Sequence, residues 1–182
     1  GRYASRCADL REIFSEAGLI RARVRVEVTW LKVLAQSGAL PELRDLTADD
    51  IQAALAIADG FSAEDAEAVK AIERETNHDV KAVEYLLKRK LAGHPAWGSR
   101  LEFVHFACTS EDINNLAYAM MCRDARAQVL LPHFEALLQA LRAMAHAHAD
   151  DAMMSRTPGQ AATPTTLGKE VAVFVHPPPR PS

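Results

Sequence analysis

Between Ser110 and Ala149 apolar residues recur at helical spacing: Ile113, Leu116, Ala117, Met120, Met121, Val129, Leu130, Phe134, Leu137, Leu138, Leu141 and Met144. That is enough for about ten helical turns. A stripe of this length has to be covered by other helices. Pro132 is predicted to kink or divide it, because proline lacks the N–H that an interior turn needs. The other periodic segments agree. Ser15-Glu16 opens a helix that carries Leu19, Ile20, Val24, Val26, Val28, Trp30, Leu31, Val33 and Leu34 and stops at Gly38. Thr47 with Asp50, and Ser62 with Asp65, are acidic versions of the capping box. They start two short helices, one through Ala58 closed by Gly60 and one through Glu73. From Asp79 the positions Val80, Val83, Leu86, Leu87 and Leu91 form one stripe, with Lys81, Glu84, Lys88 and Arg89 expected outside it. The stretch from Asp150 to Pro164 is expected to be a loop, and Thr163-Pro164 to cap a final helix. No strand of useful length stands out, so the predicted fold class is all-α.

Composition removes several classes of function. The 21 basic and 24 acidic residues leave a net charge of −3 without long single-sign blocks, so no basic field points to nucleic acid. Arg21, Arg23 and Arg25 are expected to be a solvated helix face beside Glu27 rather than a nucleic-acid reader. Charged residues interrupt every apolar run before the roughly 20 residues of a membrane span. Nothing after Gly1 resembles a secretory signal. With no initiator Met, the sequence admits residues before Gly1. Cys7, Cys108 and Cys122 are an odd, dispersed set. They point away from a disulfide framework or zinc site, and towards packed small side chains in a reducing cytoplasm.

Three polar clusters stand at predicted helix starts: Thr76-Asn77-His78-Asp79, Thr109-Ser110-Glu111-Asp112-Ile113-Asn114-Asn115, and Ser155 to Thr166. Helix N-termini suit phosphate and carboxylate groups. The same residues also serve as plain caps, with Asp79, Ser110 and Thr163 in that role. From the residues alone His78 is open to reading as an acid, a base, an anchor or a structural side chain.

The runs Ile13-Phe14-Ser15-Glu16, Thr76 to Tyr85 (TNHDVKAVEY) and His105 to Asn115 (HFACTSEDINN) resemble bacterial adenylosuccinate lyases, within the fumarase and aspartase superfamily. The resemblance extends in order from Gly1-Arg2-Tyr3 to about Val171. It implies a helical, homotetrameric lyase of purine nucleotide synthesis that needs no metal or cofactor. Its β-elimination releases fumarate from adenylosuccinate and from the succinyl-carboxamide ribotide. It also implies that Arg2 and Tyr3 contact the nucleotide phosphate, that Asn77, His78 and Asp79 form a second binding strip, and that Thr109 and Ser110 form a third.

Two departures qualify this. The family's general-acid His corresponds to Pro158, which has no ionisable group, and Ala161 replaces a usual Pro. The family's loop bearing the Ser base falls beyond residue 182. The chain is therefore expected to hold an N-terminal helical domain over 1–108, the start of a central bundle over 109–176 and a foreign Pro-rich tail over 177–182. The break after Val175 reads as a frame shift, a gene fragment or an artificial end. Activity of the chain alone is expected to be absent. The rival reading is a non-catalytic helical assembly module or pseudoenzyme. Both readings expect a homo-oligomer.

Overall fold

A computed structural model describes residues 2–176; the expected Pro-rich tail lies outside the described residues. The chain forms two compact units, divided between Ala125 and Arg126.

The first unit is built around α2. After α1 (Ala8–Phe14), Ser15 accepts a hydrogen bond from the Gly18 N–H at 3.1 Å and starts α2 (Glu16–Ser37), which Gly38 ends at φ 68°. α3 (Ala48–Asp59) and α4 (Ala63–Thr76) each begin with a complete capping box, Thr47 with Asp50 and Ser62 with Asp65. Such a cap typically stabilises by about 0.5–2 kcal/mol. α5 (Asp79–Leu91) buries the expected stripe, and α6 (Ser110–Ala125) closes the unit.

α2 is apolar on two sides because it serves two cores. Ile20, Val24, Val28, Leu31 and Leu34 pack with α3, α4, α5, Trp97 and Val104. Ala22 and Val26 pack with Val80 of α5 and with Ile113, Ala117 and Met121 of α6. Trp97 is buried with its indole N–H donating to the Asp50 carbonyl at 2.7 Å, which ties the segment after α5 to α3. Glu84, expected outside, is buried instead. Lys81 and Lys88 reach it at 2.8 and 3.1 Å, and their charges hold its carboxyl below the usual range against the opposing effect of burial. Of the three cysteines only Cys108 is partly buried; Cys7 and Cys122 are exposed, so the expectation of packed thiols fails for those two.

The second unit opens with a π-helical turn, Arg126–Leu130, followed by α7 (Leu131–Ala147). Helical backbone therefore does run from Ser110 towards Ala149, and the division falls just before Pro132. There the missing N–H and the ring's crowding of the preceding turn disfavour regular α bonding.

The expected loop after Asp150 is instead an antiparallel hairpin. β1 (Ala152–Thr157) pairs with β2 (Gln160–Thr166), with Ala152 opposite Thr166, Thr157 opposite Gln160 and an irregularity around Ser155. Pro158 and Gly159 make the turn. Proline presets its own φ, and Gly159 takes φ 73°, which L side chains adopt only with strain. Pro164 sits in β2, where a two-stranded ribbon leaves outward N–H groups unpaired in any case. The cap of the last helix moves accordingly from Thr163 to Thr166, whose hydroxyl accepts from the Lys169 N–H at 3.2 Å at the start of α8 (Leu167–Val175). Gly168 lets α8 approach α7 closely: its N–H donates to the His148 carbonyl at 2.8 Å, and a Cβ there would collide with the Ala145 carbonyl. The fold remains helical with this one small sheet.

Candidate functional site

The second and third polar strips meet in the first unit. α4 ends on Asn77, whose φ of 51° is left-handed and whose N–H donates to the Glu73 carbonyl at 2.8 Å. Asparagine tolerates this conformation better than most residues. The chain then reverses, and His78, not Asp79, caps α5: its Nδ1 accepts from the Lys81 N–H at 3.2 Å. With Nδ1 accepting, a neutral imidazole carries its proton on Nε2. That nitrogen lies 3.5 Å from Ser110 Oγ. The Ser110 hydroxyl accepts along this line and keeps its own O–H to donate outward.

At the start of α6, Thr109 rather than Ser110 occupies the cap position. The Asp112 carboxylate accepts from the Thr109 N–H at 2.7 Å and from its hydroxyl at 3.0 Å. The backbone bond first, and then the side-chain bond, hold the Asp112 carboxyl below its ordinary range. Asn77, His78 and Thr109 are exposed, while Asp79 and Ser110 are half-buried. The result is an open polar rim beside two helix starts, with the Ser110 hydroxyl free to donate outward, an arrangement suited to carboxylate or phosphate oxygens.

Behind the rim lies a set of residues that sequence reasoning missed. Arg23, expected in solvent, is buried, and its guanidinium donates to Asp79 Oδ2 at 2.6 Å and to Asn114 Oδ1 at 2.9 Å. Burial pushes the Asp79 carboxyl up, but the Val80 N–H and the Arg23 charge outweigh it and hold the group below its usual range. Arg21 and Arg25 do face outward, pairing with Glu12 and Asp59. Glu27 is fully buried, with Oε1 2.6 Å from His105 Nδ1 and Oε2 without a partner among the described residues. Burial raises its carboxyl above the ordinary value, opposed by His105 and reinforced by Glu84. Trp30 Nε1 donates to the Phe106 carbonyl at 2.8 Å. Arg23, Glu27 and Trp30 are spaced i, i+4, i+7, so one polar line on α2 holds Asp79 of the second strip and, on either side of the third, Asn114 and the His105–Phe106 segment. The available signal was a charged residue repeating at helical spacing inside an otherwise apolar helix.

Arg2 and Tyr3 stand apart. The Arg2 guanidinium lies 5.5 Å from the Tyr3 ring centroid, the Tyr3 carbonyl accepts from Arg6 and Cys7, and the ring is exposed. Neither makes a hydrogen bond or ion pair to the other two strips among the described residues. Pro158 belongs to the second unit and forms the hairpin turn. Among the described residues no three His, Cys, Asp or Glu side chains gather as a metal site requires, and no helix is long and apolar enough to cross a membrane.

A family model described as "Lyase" matches residues 1–180. The chain belongs to the lyase family. Over 172 residues this lyase-family chain is 51% identical to adenylosuccinate lyase of Escherichia coli strain K12 and 48% identical to that of Vibrio cholerae. Each match covers 94% of the chain, which spans 38% of the length of these curated relatives. Among solved structures it resembles fumarate lyase from Mesorhizobium sp. BNC1, with a TM-score of 0.72 and 27% identity, covering 92% of this chain and 36% of that one. It also resembles β-carboxy-cis,cis-muconate cycloisomerase from Acinetobacter calcoaceticus sp. ADP1, again with 0.72 and 27%, covering 96% and 39%. The lyase family thus extends across both units, including the hairpin and α8.

Proposed function

We propose that this chain supplies nucleotide-binding strips to an adenylosuccinate lyase acting in purine nucleotide synthesis. The observation that carries the reading is the meeting of His78 and Ser110 across 3.5 Å, from segments 32 residues apart. In the proposed reaction a base removes a proton beside a carboxylate of the succinyl group, an acid protonates the departing nitrogen, and fumarate leaves. Adenylosuccinate and the succinyl-carboxamide ribotide are the proposed substrates. The Ser110 hydroxyl, oriented by His78, donates to a substrate oxygen, Thr109 holds the start of α6 in place and offers its hydroxyl oxygen as an acceptor, Asn77 and Asp79 shape the rim, and Arg2 with Tyr3 takes the phosphate. Developing carbanion charge is stabilised by donors already in place. The domain reading, an N-terminal domain over 1–108 and a bundle from 109, and a cytoplasmic location belong to the same proposal.

Calorimetric titration of the purified chain with AMP or adenylosuccinate tests this. Saturable binding that is lost in a His78→Ala, Ser110→Ala double variant is the expected result. Absence of binding by the unmodified chain sinks the reading.

The rival, an assembly module, draws on the second unit. α7 has no buried residue, and Leu131, Phe134, Leu137 and Met144 on α7 and Val173 and Phe174 on α8 are exposed. Apolar faces of this kind mark interfaces. Homo-oligomerisation through α7 is common to both readings. Light scattering is expected to give a mass above that of one chain, and Leu137→Glu is expected to lower it. An unchanged mass in that variant removes the stripe as an interface.

A further inference from the structure

We propose that Arg23 is the positioning residue of this site: by holding the Asp79 carboxylate and the Asn114 amide at once, it sets the separation of the His78 strip from the Thr109–Ser110 strip. The proposal rests on the reading of that rim as the nucleotide site.

The geometry gives Arg23 this role. Its side chain is 6% exposed, on a helix clamped between two cores, so its base does not move. The fork is planar and rigid, with Nη2 on Asp79 at the start of α5 and Nε on Asn114 in the second turn of α6. Asp79 follows His78 directly, and Asn114 lies one turn beyond Ser110. Fixing the two partners therefore fixes the two rim residues. The anchors beneath are also rigid, since Val80 and Ile113 are buried in the same core.

Stability alone does not account for this arginine. Removing one member of an ion pair is strongly destabilising where the other is left buried and uncompensated. Asp79 is 45% exposed at its side chain, so it rehydrates if Arg23 is lost. A buried charge kept where an apolar residue would fold as well serves geometry. Lysine cannot replace it fully, because a single ammonium cannot hold both partners in the fork's orientation.

The test uses Arg23→Met and Arg23→Lys in the whole chain. Three readouts are taken: urea midpoint, the nuclear Overhauser contact between the His78 ring and the Ser110 β-protons, and affinity for AMP. Arg23→Met is expected to keep the midpoint, lose the His78–Ser110 contact and weaken AMP binding by about tenfold or more. Arg23→Lys is expected to fall between. A His78–Ser110 contact that persists in Arg23→Met overturns the proposal, as does unchanged AMP affinity. The proton contact needs no ligand, so it decides the role of Arg23 even if the unmodified chain fails to bind AMP, a result that would count against the nucleotide reading alone. Should Arg23→Met not fold, Asn114→Ala replaces it. That variant keeps the ion pair and suits the helix, and persistence of the contact in it is equally fatal.

Discussion

His105→Gly is expected to destabilise the first unit by about 1–3 kcal/mol or more at neutral pH, the cost of leaving a buried polar group without its hydrogen-bond partner, which is larger when that group is charged. His105 lies at φ 63°, a conformation glycine adopts freely, so the loss reports the missing imidazole and not backbone strain. What remains is Glu27, fully buried, with its second oxygen already unpartnered. The charges around it offer no substitute. Glu84 raises its carboxyl further, Lys81 and Lys88 are engaged by Glu84, and Cys108 and Asp112 bring no positive charge. Because burial raises the folded-state value of Glu27 above 4.5, the group's contribution is complete below that pH and is lost as pH rises through the folded value. Removing His105 takes away the group that lowers it and extends the loss. Urea titrations of both proteins are expected to show a wide gap at pH 7 that closes towards pH 4.5, where a protonated Glu27 lacks only a hydrogen bond worth about 1 kcal/mol. A gap independent of pH, or one under about 1 kcal/mol throughout, rejects the account.

The second large effect concerns catalysis. The 182-residue chain assayed by itself is expected to release no fumarate from adenylosuccinate above background, and Pro158→His is expected to leave that unchanged. Positioned proton transfer is worth about 10²–10⁴-fold for each acid or base. The resemblance places the acid at Pro158 and the base on a loop beyond these 182 residues, so both contributions are missing. The rim that remains can bind a nucleotide, but binding ground and transition states equally does not speed the chemical step. Pro158→His restores an ionisable group in the hairpin turn and nothing more. Joining that change to a C-terminal segment of a relative is expected to bring activity back. Continuous fumarate production by the unmodified chain would refute this and require another acid and base.

Local signals carried much of this protein in the sequence alone. Capping boxes at Thr47 and Ser62, the Ser15 cap, the Gly38 stop and the α5 stripe act over three or four residues, so reading them requires no knowledge of the fold. The polar strips at 77–79 and 109–110 were legible too, because helix starts have a short-range chemistry of their own. The hairpin was not, although Pro158-Gly159 is a turn signal, since neither strand carries the regular buried alternation that marks a strand. Arg23, Glu27 and Glu84 were misplaced for a related reason. A charged residue on a helix is normally in water; for Arg23 and Glu27 only the arrival of Asp79, Asn114 and His105, from 56, 91 and 78 residues away, makes burial tolerable, whereas buried Glu84 is compensated by Lys81 and Lys88 on its own helix. Local composition determined most of the helical segments and the starts of α2, α3 and α4, while the caps of α5, α6 and α8 fell one to three residues from the positions expected. Tertiary structure decided which charges go inside, because Arg23 and Glu27 meet Asp79, Asn114 and His105 only when α5, α6 and the segment before α6 close on α2, and because α5 turns Glu84 inward only once it packs.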